Sequence, residues 1–173
     1  RVGETLNLLF PLGNGFSSVQ QLDETVLLVG GGVGIAPLLE YGKWLTQHQA
    51  HPVFLLGTRT AKDLVQLDEF KKYGHVYLTT EDGSAGEQGF VTHHSILQQQ
   101  TFDRISVCGP KPMMQAVACD ARKTNTPCEV SLENMMACGL GACLCCVEKT
   151  ARGNVCVCKE GPVFNINDLT WME

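Results

Sequence analysis

Residues 25–37 read TVLLVGGGVGIAP, and this stretch decides the fold. Its first part, Thr25–Val29, is an apolar run typical of a strand buried on both faces of a parallel sheet. The glycines that follow allow a tight turn, and Pro37 suits the first turn of a helix, where its missing N–H is no loss. This order predicts that a pyrophosphate approaches the N-terminus of the helix. The residues that we assign to this site are Gly30, Gly32, Gly34, Ile35, Ala36 and Pro37.

The turn departs from the G-x-G-x-x-G pattern of dinucleotide-binding sheets. Gly32 and Gly34 fit the first two positions, but Pro37 occupies the third. A glycine-rich turn can also be no more than a tight connection between a strand and a helix. The buried strand before the turn favours the dinucleotide interpretation.

Strands and helices alternate along the chain after this turn. The further predicted strands are Pro52–Gly57, Val76–Thr80, Arg104–Cys108 and Cys128–Leu132, and the predicted helices are Ala36–Gln49, Leu67–Tyr73, Val91–Gln99 and Pro112–Thr124. Four strand–helix units ending in a fifth strand predict an α/β fold, a doubly wound parallel five-stranded sheet with helices on both faces. We expect residues 21–133 to form this domain. Residues 134–173 are predicted to form a small lobe with strands near Val147–Lys149 and Val155–Val157.

Further candidate binding residues follow the other strands, because ligands of open α/β sheets bind at the carboxyl edge. They are Thr58, Arg59, Glu81, Asp82, Cys108, Gly109 and Pro110. Arg59 could be a solvent-exposed loop residue without a ligand, or it could accept a 2′-phosphate. Cys108 could be a catalytic thiol, but the burial habit of free cysteine favours packing beside a nicotinamide.

The composition excludes several classes of protein. The chain has 173 residues, of which 44% are hydrophobic and 18% charged, so disorder is not the main state. Its net charge of −5 leaves no basic stripe for nucleic acid. The longest apolar stretch is broken by glycines, which excludes a transmembrane helix. The chain begins with Arg1, and no secretory signal is recognisable, so we expect a cytoplasmic protein that has lost its start.

Nine cysteines are the unusual number in this composition, and six of them fall between residues 138 and 158. Cys138, Cys143 and Cys146 have the spacing C-x4-C-x2-C, which is typical of plant-type [2Fe–2S] sites with a distant fourth cysteine. Glycines at 139 and 141 let backbone N–H groups turn toward the sulfur atoms. Cys158 is the fourth candidate, and Cys156 is its rival, on the opposite side if this segment is a strand.

Two other interpretations of these cysteines remain open, a zinc ribbon and a set of free buried thiols. Zinc ribbons use two C-x2–4-C pairs; Cys143 and Cys146 form one such pair, but Cys156 and Cys158 are too close together for the second. Cys145 is expected to point away if its neighbour Cys146 points inward.

The order of a nucleotide-binding sheet and then C-x4-C-x2-C resembles the electron-transfer subunit of class 1B dihydroorotate dehydrogenase, in the ferredoxin-reductase superfamily. The resemblance covers essentially the whole chain. A closing cysteine followed by Gly-Pro-Val-Phe marks the fourth cluster ligand, which favours Cys158 over Cys156. The segments that carry the resemblance are Pro11–Phe16, Gly30–Pro37, Glu81–Gly86, Gly89–Thr92, Cys108–Pro110, Pro112–Met114, Glu133–Cys146 and Cys158–Phe164.

The resemblance implies an electron relay. NAD, FAD and a [2Fe–2S] cluster would be the cofactors, and an FMN-containing catalytic subunit that oxidises dihydroorotate in pyrimidine biosynthesis would be the partner, in a heterotetramer. It adds Met113 to the nucleotide site, and places Glu133 either near the flavin or at the entry to the cluster loop.

The chain departs from this family at its N-terminal end, where the flavin-binding β-barrel is absent. Residues 1–20 are the expected remnant of that barrel. Arg1–Phe16 resembles only its last strand and exit loop, and Glu4–Phe10 is the part predicted as a strand. We therefore expect the chain alone to bind FAD weakly or not at all. The alternatives are a flavin and iron–sulfur subunit that serves another partner, such as a ferredoxin:NADP oxidoreductase or a hydrogenase, and a non-enzymatic metal-stabilised binding module.

Overall fold

A computed structural model of the chain describes residues 2–171 and contains a seven-stranded sheet and a two-stranded hairpin. The strands are β1 Thr25–Gly31, β2 His51–Thr58, β3 His75–Thr80, β4 Glu87–Gln88, β5 Arg104–Cys108, β6 Cys128–Ser131, β7 Val147–Thr150, β8 Gly153–Cys156 and β9 Val163–Asn165. The α-helices are α1 Ile35–Gln47, α2 Leu67–Phe70, α3 Ile96–Gln99, α4 Lys111–Lys123 and α5 Val157–Glu160.

The large sheet has the strand order β4-β3-β2-β1-β5-β6-β9. All its pairings are parallel except that of β6 with β9. Chain order reverses on the two sides of β1, which is the point where ligands bind in doubly wound sheets. The predicted doubly wound α/β fold is therefore confirmed.

The core has two halves because the central strand is buried on both faces. Val26 and Leu28 of β1 pack with α1 and Phe54 on one face. Leu27 and Val29 pack with α4 on the other. All four of these β1 side chains are completely buried, as the unbroken apolar run predicted.

The structure adds two strands to the predicted five. Strand β4 has two residues and β9 has three, so neither leaves a hydrophobic pattern long enough to detect. The helix predicted over Val91–Gln99 is wrong as one element: a 3-10 turn at Val91–His93 is separated from the four-residue α3.

The strand predicted over Glu4–Phe10 is not formed. These residues have no partner strand among residues 2–171, and Leu6, Leu8 and Phe10 are each at least 75% exposed. An isolated strand has no hydrogen-bond ladder to stabilise it.

The C-terminal region combines the β7–β8 hairpin, helix α5 and strand β9. The strand predicted over Val155–Val157 ends at Cys156, and α5 begins at Val157. Cys146, Val157 and Phe164 are buried in the same core half as β6. Residues 1, 172 and 173, which belong to the predicted ranges 1–20 and 134–173, lie outside the described residues.

The longest helices, α1 and α4, have 13 residues each. Within residues 2–171, none of the helices has the length and apolar character needed to cross a membrane.

Candidate functional site

A cavity of about 990 Å³ opens at the carboxyl edge of the large sheet. Its walls come from the ends of β1, β2 and β3 and from the first turns of α1 and α4. The volume suits a dinucleotide or a similarly large ligand. Because both helices begin at the cavity, their N-terminal ends make it favourable for anions.

The glycine turn brings helix α1 close to the neighbouring strands. Gly32 has φ of +56°, a backbone conformation that a residue with a Cβ adopts only with strain. A Cβ on Gly34 would lie 2.4 Å from the carbonyl oxygen of Cys108, and one on Gly31 would lie 2.4 Å from Met113 Sδ. The absence of side chains therefore lets the turn pack against β5 and α4.

Eight of the fifteen residues that the sequence assigned to cofactor binding line this cavity. They come from the glycine turn, the ends of β2 and β3, and the start of α4. These residues are Gly32, Ile35, Ala36, Thr58, Arg59, Glu81, Pro110 and Met113.

The other seven lie outside the large cavity. Gly109 and Glu133 border a separate cavity of about 110 Å³, together with Pro110. A Cβ on Gly30 would lie 2.9 Å from Ile35 Cγ2, so this glycine allows close packing of strand and helix. The remaining predicted residues that do not line either cavity are Gly34, Pro37, Asp82 and Cys108.

Asp82 is engaged within its own loop. Its Oδ1 accepts hydrogen bonds from the backbone N–H of Ser84 at 3.0 Å and from the Ser84 hydroxyl at 2.5 Å, and these bonds lower the pKa of Asp82. Ser84 Oγ also accepts from the backbone N–H of Ala61 at 2.8 Å. The Asp82 carboxylate thus shapes the loop beside the cavity.

Cys108 ends β5, is half-buried and packs against the α1 half of the core. Burial raises the pKa of the Cys108 thiol above its usual value, and a contact with Ser131 offsets part of that rise. A thiol with a raised pKa is a poor nucleophile at neutral pH, which favours the packing interpretation.

Sequence reasoning missed the other residues of the cavity wall. Lys62 and Asp63 lie in a 3-10 turn after β2, and Gly89, Phe90 and Thr92 lie in the connection after β4. The end of β2 indicated the region of the first two but not the direction of their turn, and β4 was too short to be detected. The wall is completed by Gly31, Val33, Gly57, Val65, Thr79, Val91, Pro112 and Ala116.

The cysteine loop, residues 138–146, turns backbone N–H groups toward sulfur. Cys138 Sγ accepts from the N–H of Leu140 at 3.3 Å and of Cys143 at 3.4 Å. These bonds lower the pKa of Cys138 to about 6. Cys146 Sγ accepts from the N–H of Cys158 at 3.3 Å, and this bond lowers the pKa of Cys146.

The thiols of this region contact one another. Cys138 lies against Cys143, and Cys146 lies against both Cys158 and Cys156. Within residues 2–171, no three His, Cys, Asp or Glu side chains are gathered closely enough to hold a single metal ion. Cys145 is exposed and Cys146 is buried. The two neighbouring side chains therefore point in opposite directions, as expected.

Cys156 and Cys158 face different backbone groups of the same glycine. Cys156 Sγ donates to the carbonyl oxygen of Gly141 at 3.6 Å. Cys158 Sγ accepts a hydrogen bond from the backbone N–H of Gly141. Only the second arrangement stabilises a thiolate. Cys158 lies in helix α5, so its side chain and that of Cys156 are not on opposite faces of one strand.

The segment around Asn14 joins this region from the other end of the chain. The backbone N–H of Asn14 donates to the Gly161 carbonyl at 2.5 Å, and its side-chain amide donates to the Glu160 carbonyl at 3.1 Å. A Cβ on Gly139 would lie 3.3 Å from both Leu9 and Leu12 side chains. The Pro11–Gly15 turn therefore lies beside the cysteine loop.

Two family models match the chain. Residues 28–119 match the oxidoreductase NAD-binding domain. Residues 133–170 match the iron-sulfur cluster binding domain of dihydroorotate dehydrogenase B. The first match spans the strands that form the large cavity, and the second begins where β6 ends and contains all the cysteines of the loop.

A solved structure of an NADH-dependent reduced ferredoxin-NADP oxidoreductase has a TM-score of 0.82 and 33% identity, over 96% of this chain and 60% of that one. The C-terminal domain of a Pyrococcus furiosus hydrogenase shares the fold, with a TM-score of 0.57 and 15% identity over 71% of this chain and all of that one.

Curated relatives point to one family. The dihydroorotate dehydrogenase B (NAD(+)) electron transfer subunit of Bacillus velezensis is 40% identical over 96% of this chain and 66% of the relative. That of Listeria monocytogenes serotype 4b is 41% identical over 97% of this chain and 67% of the relative. The chain spans about two thirds of the length of the curated relatives that it matches. It belongs to the family of dihydroorotate dehydrogenase B electron transfer subunits, which are oxidoreductase components.

Proposed function

We propose that the chain is part of the electron-transfer subunit of an NAD-dependent dihydroorotate dehydrogenase. It would relay electrons from the FMN of a catalytic subunit, through [2Fe–2S] and FAD, to NAD in the synthesis of UMP. The observation that carries this proposal is that one chain holds both a nucleotide-sized cavity and paired, N–H-bonded thiols. When bound, the nicotinamide supplies two-electron hydride chemistry and the cluster one-electron transfer.

Four cysteines are the proposed cluster ligands: Cys138, Cys143, Cys146 and Cys158. A [2Fe–2S] cluster would be held by four thiolates, and contacts of Cys138 with Cys143 and of Cys146 with Cys158 bring thiols of this set together. The N–H bonds to Cys138 and Cys146 stabilise the thiolate form that binds iron. The donor set therefore fits an iron–sulfur cluster.

The fourth position is assigned to Cys158 because of Gly141. Its backbone N–H faces Cys158 Sγ, whereas its carbonyl oxygen faces Cys156 Sγ. A carbonyl oxygen repels a thiolate, which disfavours Cys156 as a ligand. The pKa values do not distinguish the two thiols, because burial raises the pKa of Cys156, and the contact with Cys146 together with burial raises that of Cys158. In this arrangement Cys156 is a neighbour of the cluster and not a ligand.

The large cavity is the proposed NAD site. The N-terminal ends of α1 and α4 would face the pyrophosphate, which favours its negative charge. The apolar side chains of Val65, Phe90 and Met113 offer packing surfaces for the rings. The cavity of about 110 Å³ bordered by Gly109 and Glu133 is too small to enclose a flavin, so we propose no flavin site inside it.

The proposed partner is the FMN-containing catalytic subunit, and a heterotetramer is the proposed assembly. Large apolar side chains that lie in the cysteine loop or shortly before it are more than half exposed. Such a patch beside an electron-transfer centre is typical of a surface that a protein partner covers. These side chains are Met135, Met136, Leu140 and Leu144.

The partner proposal is tested by copurification with a tagged catalytic subunit. Met136→Glu and Leu144→Glu place charges in the patch and are expected to abolish capture while leaving iron and sulfide content unchanged. Leu22→Glu, at a position 72% exposed and before β1, is the matched control and should be captured normally. Normal capture of the two patch variants would contradict this docking surface.

A subunit that serves another partner is the less favoured function. The ferredoxin-NADP oxidoreductase structure is 33% identical, against 40% and 41% for the dihydroorotate dehydrogenase B relatives. Copurification of an FMN-binding dihydroorotate-oxidising chain supports the favoured function, whereas copurification of a hydrogenase or ferredoxin would support the other.

The cytoplasm is the proposed location.

A further inference from the structure

A buried carboxylate lies just after the cysteine loop and is not one of the proposed cluster ligands. Glu148 belongs to strand β7, and its side chain is 10% exposed. It follows the proposed ligand Cys146, which is 1% exposed, by two residues. Because Val147 between them is exposed, the side chains of Cys146 and Glu148 point to the same, inward side of the chain. Two residues of chain separate their Cα atoms by at most about 7 Å.

Three donors converge on the Glu148 carboxylate. Its Oε1 accepts from Lys111 Nζ at 3.2 Å and from Trp171 Nε1 at 3.2 Å, and its Oε2 accepts from Asn134 Nδ2 at 3.0 Å. Of these donors only Lys111 is charged, and its ammonium lies 5.6 Å from the centre of the Trp171 ring. The carboxylate is therefore fixed in position by one cation and two neutral donors, as a buried charge requires.

The donors come from both of the regions that carry a proposed cofactor site. Asn134 precedes the cysteine loop, and its side-chain amide also donates to the Val147 carbonyl at 3.3 Å, which closes the base of the loop. Lys111 is the first residue of α4, the helix that begins at the large cavity. The ion pair of Lys111 with Glu148 therefore joins the nucleotide-binding sheet to the cysteine region.

A fixed charge beside an iron–sulfur cluster changes the reduction potential of the cluster. A negative charge disfavours the added electron and lowers the potential, whereas a positive charge raises it. Water screens a buried charge less than an exposed one. Because the Lys111 side chain is 52% exposed and that of Glu148 only 10%, the carboxylate should have the larger effect of the two.

We propose that Glu148 and Lys111 tune the reduction potential of the [2Fe–2S] cluster, Glu148 by lowering it and Lys111 by opposing Glu148. Both are positioning residues that act through their charge, and neither is a ligand. This inference rests on the proposed cluster function and adds to it the groups that set how readily the cluster accepts an electron.

The test is a redox titration of the anaerobically purified chain, followed by the EPR signal of the reduced cluster. Glu148→Gln keeps the size of the side chain and removes its charge, so it is expected to raise the potential. Lys111→Met removes the opposing charge and is expected to lower the potential by a smaller amount. The double variant should lie between the two single variants. A loss of packing alone gives no reason for shifts of opposite sign.

The exposed ion pair of Arg152 with Asp168 provides matched controls in the same C-terminal region. Asp168→Asn and Arg152→Met change the charge as the two test variants do, but at side chains that are 38% and 71% exposed. Neither control should shift the potential measurably, because water screens both positions. Iron and acid-labile sulfide per chain should equal those of the unmodified chain in every variant.

The outcomes separate this inference from the proposed cluster function. Shifts of the same sign in Glu148→Gln and Lys111→Met, or no shift in either, would overturn the inference and leave the cluster function intact. If Glu148→Gln reduces the cluster content, Lys111→Met decides alone, and an unchanged or raised potential overturns the inference. Absence of iron and sulfide from the unmodified chain would overturn the cluster function together with this inference.

Discussion

Cys128 and Cys138 lie ten residues apart in the sequence and in opposite chemical environments. Cys128 begins β6 and is 1% exposed in the core, where burial raises its pKa to about 12. Cys138 lies in the cysteine loop, where two backbone N–H groups lower its pKa to about 6. The same side chain acts as a hydrophobic group in the sheet and as an acidic thiol in the loop. The sheet is thus stabilised by burial, and the loop is arranged around sulfur.

We expect the largest effect from replacing the proposed fourth ligand, Cys158, and its rival, Cys156, with serine one at a time. Cys158→Ser should abolish the cluster, because oxygen replaces one of four thiolates. Cys156→Ser should retain it, since Cys156 faces the Gly141 carbonyl. Iron and acid-labile sulfide per chain, measured in anaerobically purified protein, check both. Cluster loss in Cys156→Ser with retention in Cys158→Ser would reverse the assignment.

Replacing one large apolar side chain with alanine in the sheet core and one in the cysteine loop should show that only the core is stabilised by burial. Phe54→Ala removes a completely buried ring from the core and should lower the free energy of unfolding by about 3–5 kcal/mol. Leu144→Ala, in the cysteine loop at 65% exposure, should change it by less than about 0.5 kcal/mol. Urea denaturation of both variants measures the difference. Similar losses would show that the loop is packed like the sheet.

The buried ion pair of the sheet can be compared with a surface pair near the C-terminus. Arg104 donates to Glu24 at 2.7 Å, and both side chains are buried. Arg104→Met should cost about 3 kcal/mol of unfolding free energy, because Glu24 is left as an unpaired buried charge. Arg152 pairs with Asp168 at 3.7 Å and is exposed, so Arg152→Met should cost less than about 1 kcal/mol. Equal costs in thermal unfolding would contradict this distinction.

The two thiols should respond differently to pH. In metal-free protein, alkylation of Cys138 should accelerate about tenfold between pH 5 and pH 7, because the reactive thiolate forms as pH rises through its pKa of about 6. Cys128 should stay unmodified over this range, since its pKa is about 12. Mass spectrometry of the labelled peptides gives both rates. A Cys138 rate that rises only above pH 8 would contradict the role of the N–H bonds.

The sheet was predictable because burial leaves a pattern in the sequence. The apolar run of β1 and the alternation of strands and helices gave the doubly wound fold and most element positions. Strands β4 and β9 were missed because their pairing depends on neighbouring strands rather than on a pattern of their own. The segment Glu4–Phe10 was predicted as one strand of a sheet whose other strands are missing here, and it forms no strand, since an apolar run without a partner strand forms no ladder.

The candidate site was predictable in part. Strand ends indicated Thr58, Arg59 and Glu81, which line the cavity. Lys62 and Phe90 reach it through turns whose direction is set by tertiary contacts such as that between Ala61 and Ser84. The spacing of the cysteines indicated the loop, but the different backbone groups that face Cys156 and Cys158 could be seen only in the structure.

The central claim is that the cysteine loop holds a [2Fe–2S] cluster. It is tested most directly by metal and sulfide analysis of anaerobically purified protein, together with EPR after reduction. The account predicts about two irons and two acid-labile sulfides per chain and an EPR signal that appears on reduction. Stoichiometric zinc without sulfide would contradict it.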